Sequence, residues 1–121
     1  MKKLLYVDDE DINLLLFRIT FSKLFEVVTA ESGRIALEYL ESHKNVSLVI
    51  SDWNMPIMNG LELIKKIKEL NPTMPCVMIS GYGKNSEIEQ AINDKIIIDY
   101  VTKPFEKDFL HTLINNTLDS N

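Results

Sequence analysis

The sequence predicts an α/β domain: a five-stranded parallel sheet with helices on both faces. Two observations lead there. Five short apolar runs alternate with five longer amphipathic stretches along the 121 residues, and three of the runs are apolar almost without interruption. A strand covered on both faces reads as near-continuous apolar sequence, whereas a half-exposed strand alternates. Parallel neighbours need a right-handed crossover, so strand–helix alternation implies a parallel sheet sandwiched between helices. The four prolines, Pro56, Pro72, Pro75 and Pro104, all fall at boundaries between periodic segments.

In chain order the strand runs are Leu4–Val7, Phe25–Ala30, Leu48–Ser51, Cys76–Ser80 and Ile96–Val101. Phe25–Ala30 is the more polar one and is expected nearer an edge. The first helical stretch carries Ile12, Leu15, Leu16 and Ile19 at i, i+3, i+4 and i+7, one face of a helix. The second places Ala36, Leu37 and Leu40 after Ser32, a candidate N-cap. The third sets Leu63, Ile64, Ile67 and Leu70 behind Asn59-Gly60-Leu61-Glu62, which resembles a capping box. Ser86-Glu87-Ile88-Glu89 reads as a second capping box, opening a short helix through Asn93. Leu110, Leu113 and Ile114 form the last helix, with Pro104 expected to set its start.

Composition narrows the functions. A chain of 121 residues fits one domain and buries roughly two-thirds of its unfolded surface, enough to fold without staples. Thirteen basic residues against 18 acidic give a net charge of −5, which argues against a basic patch for nucleic acid. The excess acid either keeps the protein soluble or gathers in part at a cation site. The single cysteine, Cys76, excludes an internal disulfide and a multi-thiolate metal site, and its apolar run makes it a buried thiol. Neither a signal peptide nor an apolar stretch of roughly 20 residues is present, so no membrane role and a cytoplasmic location are expected.

In parallel α/β sheets, sites form beyond the carboxyl ends of the strands. The loops there are Asp8-Asp9-Glu10-Asp11, Asp52-Trp53-Asn54-Met55-Pro56, Ser80-Gly81-Tyr82-Gly83 and Thr102-Lys103-Pro104-Phe105. Crowding Asp8, Asp9 and Asp52 raises their mutual repulsion, and a hard divalent cation such as Mg²⁺ is the natural compensator for oxygen ligands. Lys103 adds a compact positive charge and Ser80 a hydroxyl donor. Such a set can stabilise a phosphoryl group in flight toward an Asp carboxylate. Taken singly, each residue has a plainer reading: a helix-capping acid run, a turn former, a surface amine, a turn cap. Three acids, a hydroxyl and an amine on one sheet edge is a combination those readings do not explain together.

Val7-Asp8-Asp9-Glu10, Ser51-Asp52-Trp53-Asn54-Met55-Pro56 with Asn59-Gly60, Ile79-Ser80-Gly81, and Tyr100-Val101-Thr102-Lys103-Pro104-Phe105 follow one another along the chain. In this order they resemble the receiver domains of bacterial two-component response regulators (CheY-like), over about Lys3 to Leu118. The resemblance implies a flavodoxin-like (βα)5 fold with strand order 2-1-3-4-5 and a single receiver domain over residues 1–121. It implies that Asp52 accepts a phosphoryl group from a phosphohistidine on a sensor histidine kinase or phosphotransfer protein. Asp9 and Asp52 would ligate Mg²⁺ (Mn²⁺ as a substitute), Asp8 would assist through water, and the Asn54 backbone carbonyl would complete the set. Lys103 and Ser80 would bind phosphoryl oxygens, with Tyr100 changing rotamer as Ser80 moves. The fourth helix, fifth strand and fifth helix would present the output surface to an unknown downstream protein. The first helix near Asp11, Ile12 and Leu15, with the Pro104 loop, would dock the kinase. Asn54 and Tyr82 would tune the lifetime of the acyl phosphate, and the domain would be no enzyme beyond self-phosphorylation and self-dephosphorylation.

One stretch departs from the family pattern. Where a Gly-Ala pair is usual between Ala91 and Tyr100, the chain reads Ile92-Asn93-Asp94-Lys95-Ile96-Ile97-Ile98-Asp99, longer by about one residue. The end of the fourth helix is therefore left open. An alternative class, a phosphohydrolase of the haloacid-dehalogenase type, would want a second Asp where Asn54 stands. A stand-alone regulator and a receiver from a hybrid kinase or multidomain regulator both remain compatible with the sequence.

Overall fold

The computed structural model describes residues 1–81 and 85–119. Ten elements alternate: β1 (Lys3–Val7), α1 (Asp11–Phe21), β2 (Glu26–Ala30), α2 (Gly33–Ser42), β3 (Leu48–Asp52), α3 (Gly60–Leu70), β4 (Cys76–Ser80), α4 (Ser86–Asn93), β5 (Asp99–Thr102) and α5 (Lys107–Asp119). All four strand pairings are parallel, in the order β2-β1-β3-β4-β5. The expected fold and order hold, and the polar second run lies at an edge as its composition indicated.

Side chains in a strand alternate between faces, and here that alternation builds two separate cores. Leu5, Val7, Val49, Cys76 and Met78 point to one side and meet Ala36 and Leu40 of α2, Leu63, Ile64 and Ile67 of α3, and Ile88 and Ala91 of α4. Leu4, Tyr6, Leu48, Ile50, Val77, Ile79 and Val101 point to the other and meet Phe17 and Phe21 of α1 and Leu110 and Ile114 of α5. The three central strands are buried throughout, which is why they read as unbroken apolar sequence. Cys76 is buried as expected, and burial pushes its thiol up to about 12.

Helix α1 corrects the periodicity reading. The stripe Ile12, Leu15, Leu16 and Ile19 faces outward, each residue more than half exposed, while Phe17 and Phe21 are fully buried. The helix carries two apolar faces separated by Asp11 and Arg18 on one side and Asn13 and Thr20 on the other, so spacing alone admits either. The aromatic face is the inner one because its rings fill the layer over β1: Phe17 stacks on Tyr6 at 4.2 Å and 5°.

Local signals mark most helix starts. Ser32 Oγ accepts from the Ile35 amide at 3.2 Å. Asn59 and Glu62 form the full capping box, with bonds of 2.9 and 3.0 Å. In α4 the cap shifts by one residue from expectation: Asn85, not Ser86, accepts from the Ile88 amide at 2.9 Å, since Asn caps as well as Ser. Pro104 does not open α5. It follows a cis peptide bond in the loop before the helix, which begins at Lys107.

The stretch left open after Ala91 resolves into a Schellman ending. The Ile96 amide donates to the Ala91 carbonyl at 2.9 Å and the Lys95 amide to Ile92 at 3.0 Å, with Lys95 in the left-handed region at φ 62°. Ile96–Ile98 is therefore a helix exit and not strand, correcting the fifth apolar run. Pairing with β4 starts only where the Ile98 amide reaches the Cys76 carbonyl at 2.8 Å.

Candidate functional site

Register brings the four strand ends flush. Val7 pairs with Ser51, Asp52 with Ile79, and Ser80 with Thr102. The residue following each strand, or closing it, therefore opens on one sheet edge. Helix α3 is held hard against this edge: the Gly60 amide donates to the Trp53 carbonyl at 2.8 Å, and a Cβ at Gly60 would collide with the Asp52 carbonyl oxygen.

The predicted acids do converge. Asp8, Asp9 and Asp52 each offer one carboxylate oxygen, and those oxygens lie within 4.8 Å of one another. Asp8 and Asp52 are buried and Asp9 is exposed. Lys103 Nζ enters from the far side, 2.8 Å from Asp8 Oδ2 and 3.1 Å from Asp52 Oδ1. Ser80 is buried at the end of β4, where its carbonyl accepts from the Lys103 amide at 2.8 Å. Gly81 leaves open space beside it: a Cβ there would meet nothing within 4 Å. Asn54 is exposed two places beyond Asp52. Tyr100 is half-buried on β5, in register with Met78 and packed against the core of the α2–α4 face, so it lies behind the cluster and not within it. Tyr82 falls outside the described residues.

Electrostatics follow from the crowding. Burial, then the charges of Asp8 and Asp9, lift the Asp52 carboxyl to about 6, against the opposing pull of Lys103. Burial, the largest influence on Lys103, pulls its ammonium down, but the bonds to Asp8 and Asp52 outweigh it and the net shift is upward. Three carboxylates and one ammonium leave the cluster two negative charges in excess. The donor set is all oxygen, which suits a hard cation such as Mg²⁺ with its demand for octahedral oxygen ligands.

One participant was not anticipated. By sequence Tyr6 is only part of an apolar strand, yet its hydroxyl donates to Asp8 Oδ2 at 2.8 Å. The Glu10 amide donates to Asp8 Oδ1 at 3.0 Å. The signal was available: residues i and i+2 of a strand share a face, and a buried tyrosine hydroxyl needs a partner. With three donors on its two oxygens, Asp8 keeps one open lone-pair position, on Oδ1.

The response regulator receiver domain family model matches residues 4–115, and the chain belongs to that family. It is a CheY-like receiver of two-component signalling. The chain is similar to the chemotaxis protein CheY1 of Helicobacter pylori, 35% identical with 98% of each chain covered. A response regulator receiver domain protein from Clostridium thermocellum superposes with a TM-score of 0.93 at 26% identity, covering 99% of this chain and 96% of that one. The response regulator TrrA of Thermotoga maritima, solved in complex with Mg²⁺-BeF, superposes with a TM-score of 0.84 at 30% identity, covering 97% and 99%.

Proposed function

We propose that residues 1–121 form one receiver domain in which Asp52 is the phosphoacceptor. The observation that carries this reading is the convergence of Asp8, Asp9, Asp52 and Lys103 from three separate strand ends. In the transfer, an Asp52 carboxylate oxygen attacks phosphorus, the P–N bond to the donor histidine breaks, and the imidazole keeps the electron pair and takes up a proton. Mg²⁺ (or Mn²⁺) held by Asp9, Asp52 and the Asn54 carbonyl, with Asp8 assisting through water, would supply charge neutralisation for the transferring group. Lys103 Nζ turns from the two carboxylates to a phosphoryl oxygen, and the Ser80 hydroxyl binds another.

Those new bonds favour one of two arrangements of Tyr100, which alters the α4-β5-α5 surface read by a downstream protein. The donor is a sensor histidine kinase or phosphotransfer protein. The outward stripe Ile12, Leu15, Leu16 and Ile19, beside a cavity of about 430 Å³ lined by Leu16, Pro104 and Phe105, supports docking at α1 and the Pro104 loop. Asn54 and Tyr82, two places beyond Asp52 and Ser80 in sequence, set the lifetime of the acyl phosphate. Beyond taking and losing its own phosphoryl group the domain has no catalytic turnover, and Asn54, in the place of a general acid, supports this over a phosphohydrolase. Among the described residues no helix is long and apolar enough to cross a membrane, and cytoplasmic action fits the reading.

The test is treatment with acetyl phosphate with and without Mg²⁺, followed by intact mass. One phosphoryl group should add only with Mg²⁺, and the Asp52→Asn protein should show no gain. A gain in that variant, or steady hydrolysis of phosphate monoesters by the wild type, would overturn the assignment.

A further inference from the structure

We propose that Tyr6 is a positioning residue of the phosphorylation site: its hydroxyl holds Asp8 in place so that Lys103 is free to leave it. This rests on the acceptor reading above. Asp8 is fully buried, and its Oδ2 receives two donors at the same length, Tyr6 Oη and Lys103 Nζ, both at 2.8 Å. Lys103 also reaches Asp52 at 3.1 Å, so one ammonium serves two carboxylates. If Lys103 were the only donor on Oδ2, moving it to a phosphoryl oxygen would strip a buried carboxylate oxygen of its partner. Leaving a buried charged acceptor unsatisfied is costly, and that cost would oppose the transfer.

The tyrosine removes that opposition. Its bond to a carboxylate is charge-assisted, and it is neutral, so it satisfies Asp8 without competing for the incoming phosphate. Its position is fixed independently of the site, because the ring is 1% exposed and lies flat on Phe17 at 4.2 Å and 5°. The third donor, the Glu10 amide on Oδ1, is backbone and stays with the loop. Tyr6 and Glu10 therefore keep the Asp8 carboxylate aimed at the cluster in both states, and only Lys103 changes partners.

The Tyr6→Phe protein keeps the ring and its stacking and loses only the hydroxyl. Titration with Mg²⁺ alone, followed by Trp53 fluorescence, should give an affinity within about twofold of wild type, since Lys103 still holds Asp8. Titration with beryllofluoride at saturating Mg²⁺, where Lys103 is drawn to the phosphoryl mimic, should be weaker by about tenfold. Equal beryllofluoride affinity overturns the inference. So does parallel weakening of both ligands with a lowered melting temperature, which is the pattern of a merely structural residue. Should the variant not fold, proton NMR of the wild type decides: the Tyr6 hydroxyl proton should stay hydrogen-bonded and slow to exchange when beryllofluoride is added, and its release overturns the inference. Failure of the wild type to bind beryllofluoride overturns the acceptor reading itself, and this inference with it.

Discussion

Asp52→Asn should make the metal-free protein more stable at neutral pH while abolishing its phosphorylation. The Asp52 carboxyl is lifted from 3.8 to about 6, so between those values the folded state holds a proton that the unfolded chain releases. Stability therefore falls as pH rises through this window, and above it the folded protein carries the full cost of an ionised, crowded carboxylate. At 1.36 kcal/mol per pH unit that cost is roughly 3 kcal/mol. Asparagine is nearly the same size and carries no charge, and Lys103 keeps its 2.8 Å bond to Asp8 when Asp52 is neutralised. The assay is urea unfolding in EDTA. With a urea dependence of about 1–3 kcal/mol per molar, the midpoint should rise by roughly 1–3 M near pH 7.5 and the two proteins should converge near pH 4. Adding Mg²⁺ should raise the wild type toward the variant. Equal or lower stability of Asp52→Asn near pH 7.5, or a difference that does not change with pH, would refute the reasoning.

Three other expectations follow from the geometry. Lys95 is exposed and sits at φ 62°, where a side chain costs about 1 kcal/mol, so Lys95→Gly should raise unfolding stability by that amount in denaturant titrations. Gly60→Ala puts a methyl against the Asp52 carbonyl; it should cost about 1–3 kcal/mol and slow acetyl phosphate modification, since α3 must back away from the acceptor strand. Leu15→Ser on the outer face of α1 should change stability by no more than about 0.5 kcal/mol while slowing transfer from a phosphohistidine donor and leaving acetyl phosphate modification unaltered. Uniform slowing with both donors would remove the case for α1 as a docking face.

Much of this molecule was legible before any coordinates, for reasons that can be named. The strands β1, β3 and β4 announced themselves because burial on both faces leaves no polar alternation. The caps at Ser32 and Asn59 were readable because the side-chain bonds they make are local. The site was readable because parallel topology sends every strand end to the same edge, so residues distant in sequence could be placed together from order alone. What failed were choices that depend on the rest of the fold. On α1, two apolar faces competed and the aromatic one won through its fit over Tyr6. After α4, three isoleucines looked like strand, but the left-handed turn at Lys95 spends them on a helix exit. Tyr6 itself was hidden by its company, a polar hydroxyl inside an apolar run.

The capped start of α3 has a consequence for how the acceptor site obtains positive charge. A helix beginning beside a phosphate commonly serves as its cradle, lending unpaired amides to the anion. Here the Glu62 amide is taken by the Asn59 side chain and the Gly60 amide by the Trp53 carbonyl, so the start of α3 has these two donors already committed. On the proposed reading, a dianionic group on Asp52 would draw its compensation from Lys103, the Ser80 hydroxyl and a divalent ion, not from these two amides. The way this helix closes its own first turn would then leave more of that compensation to the ion.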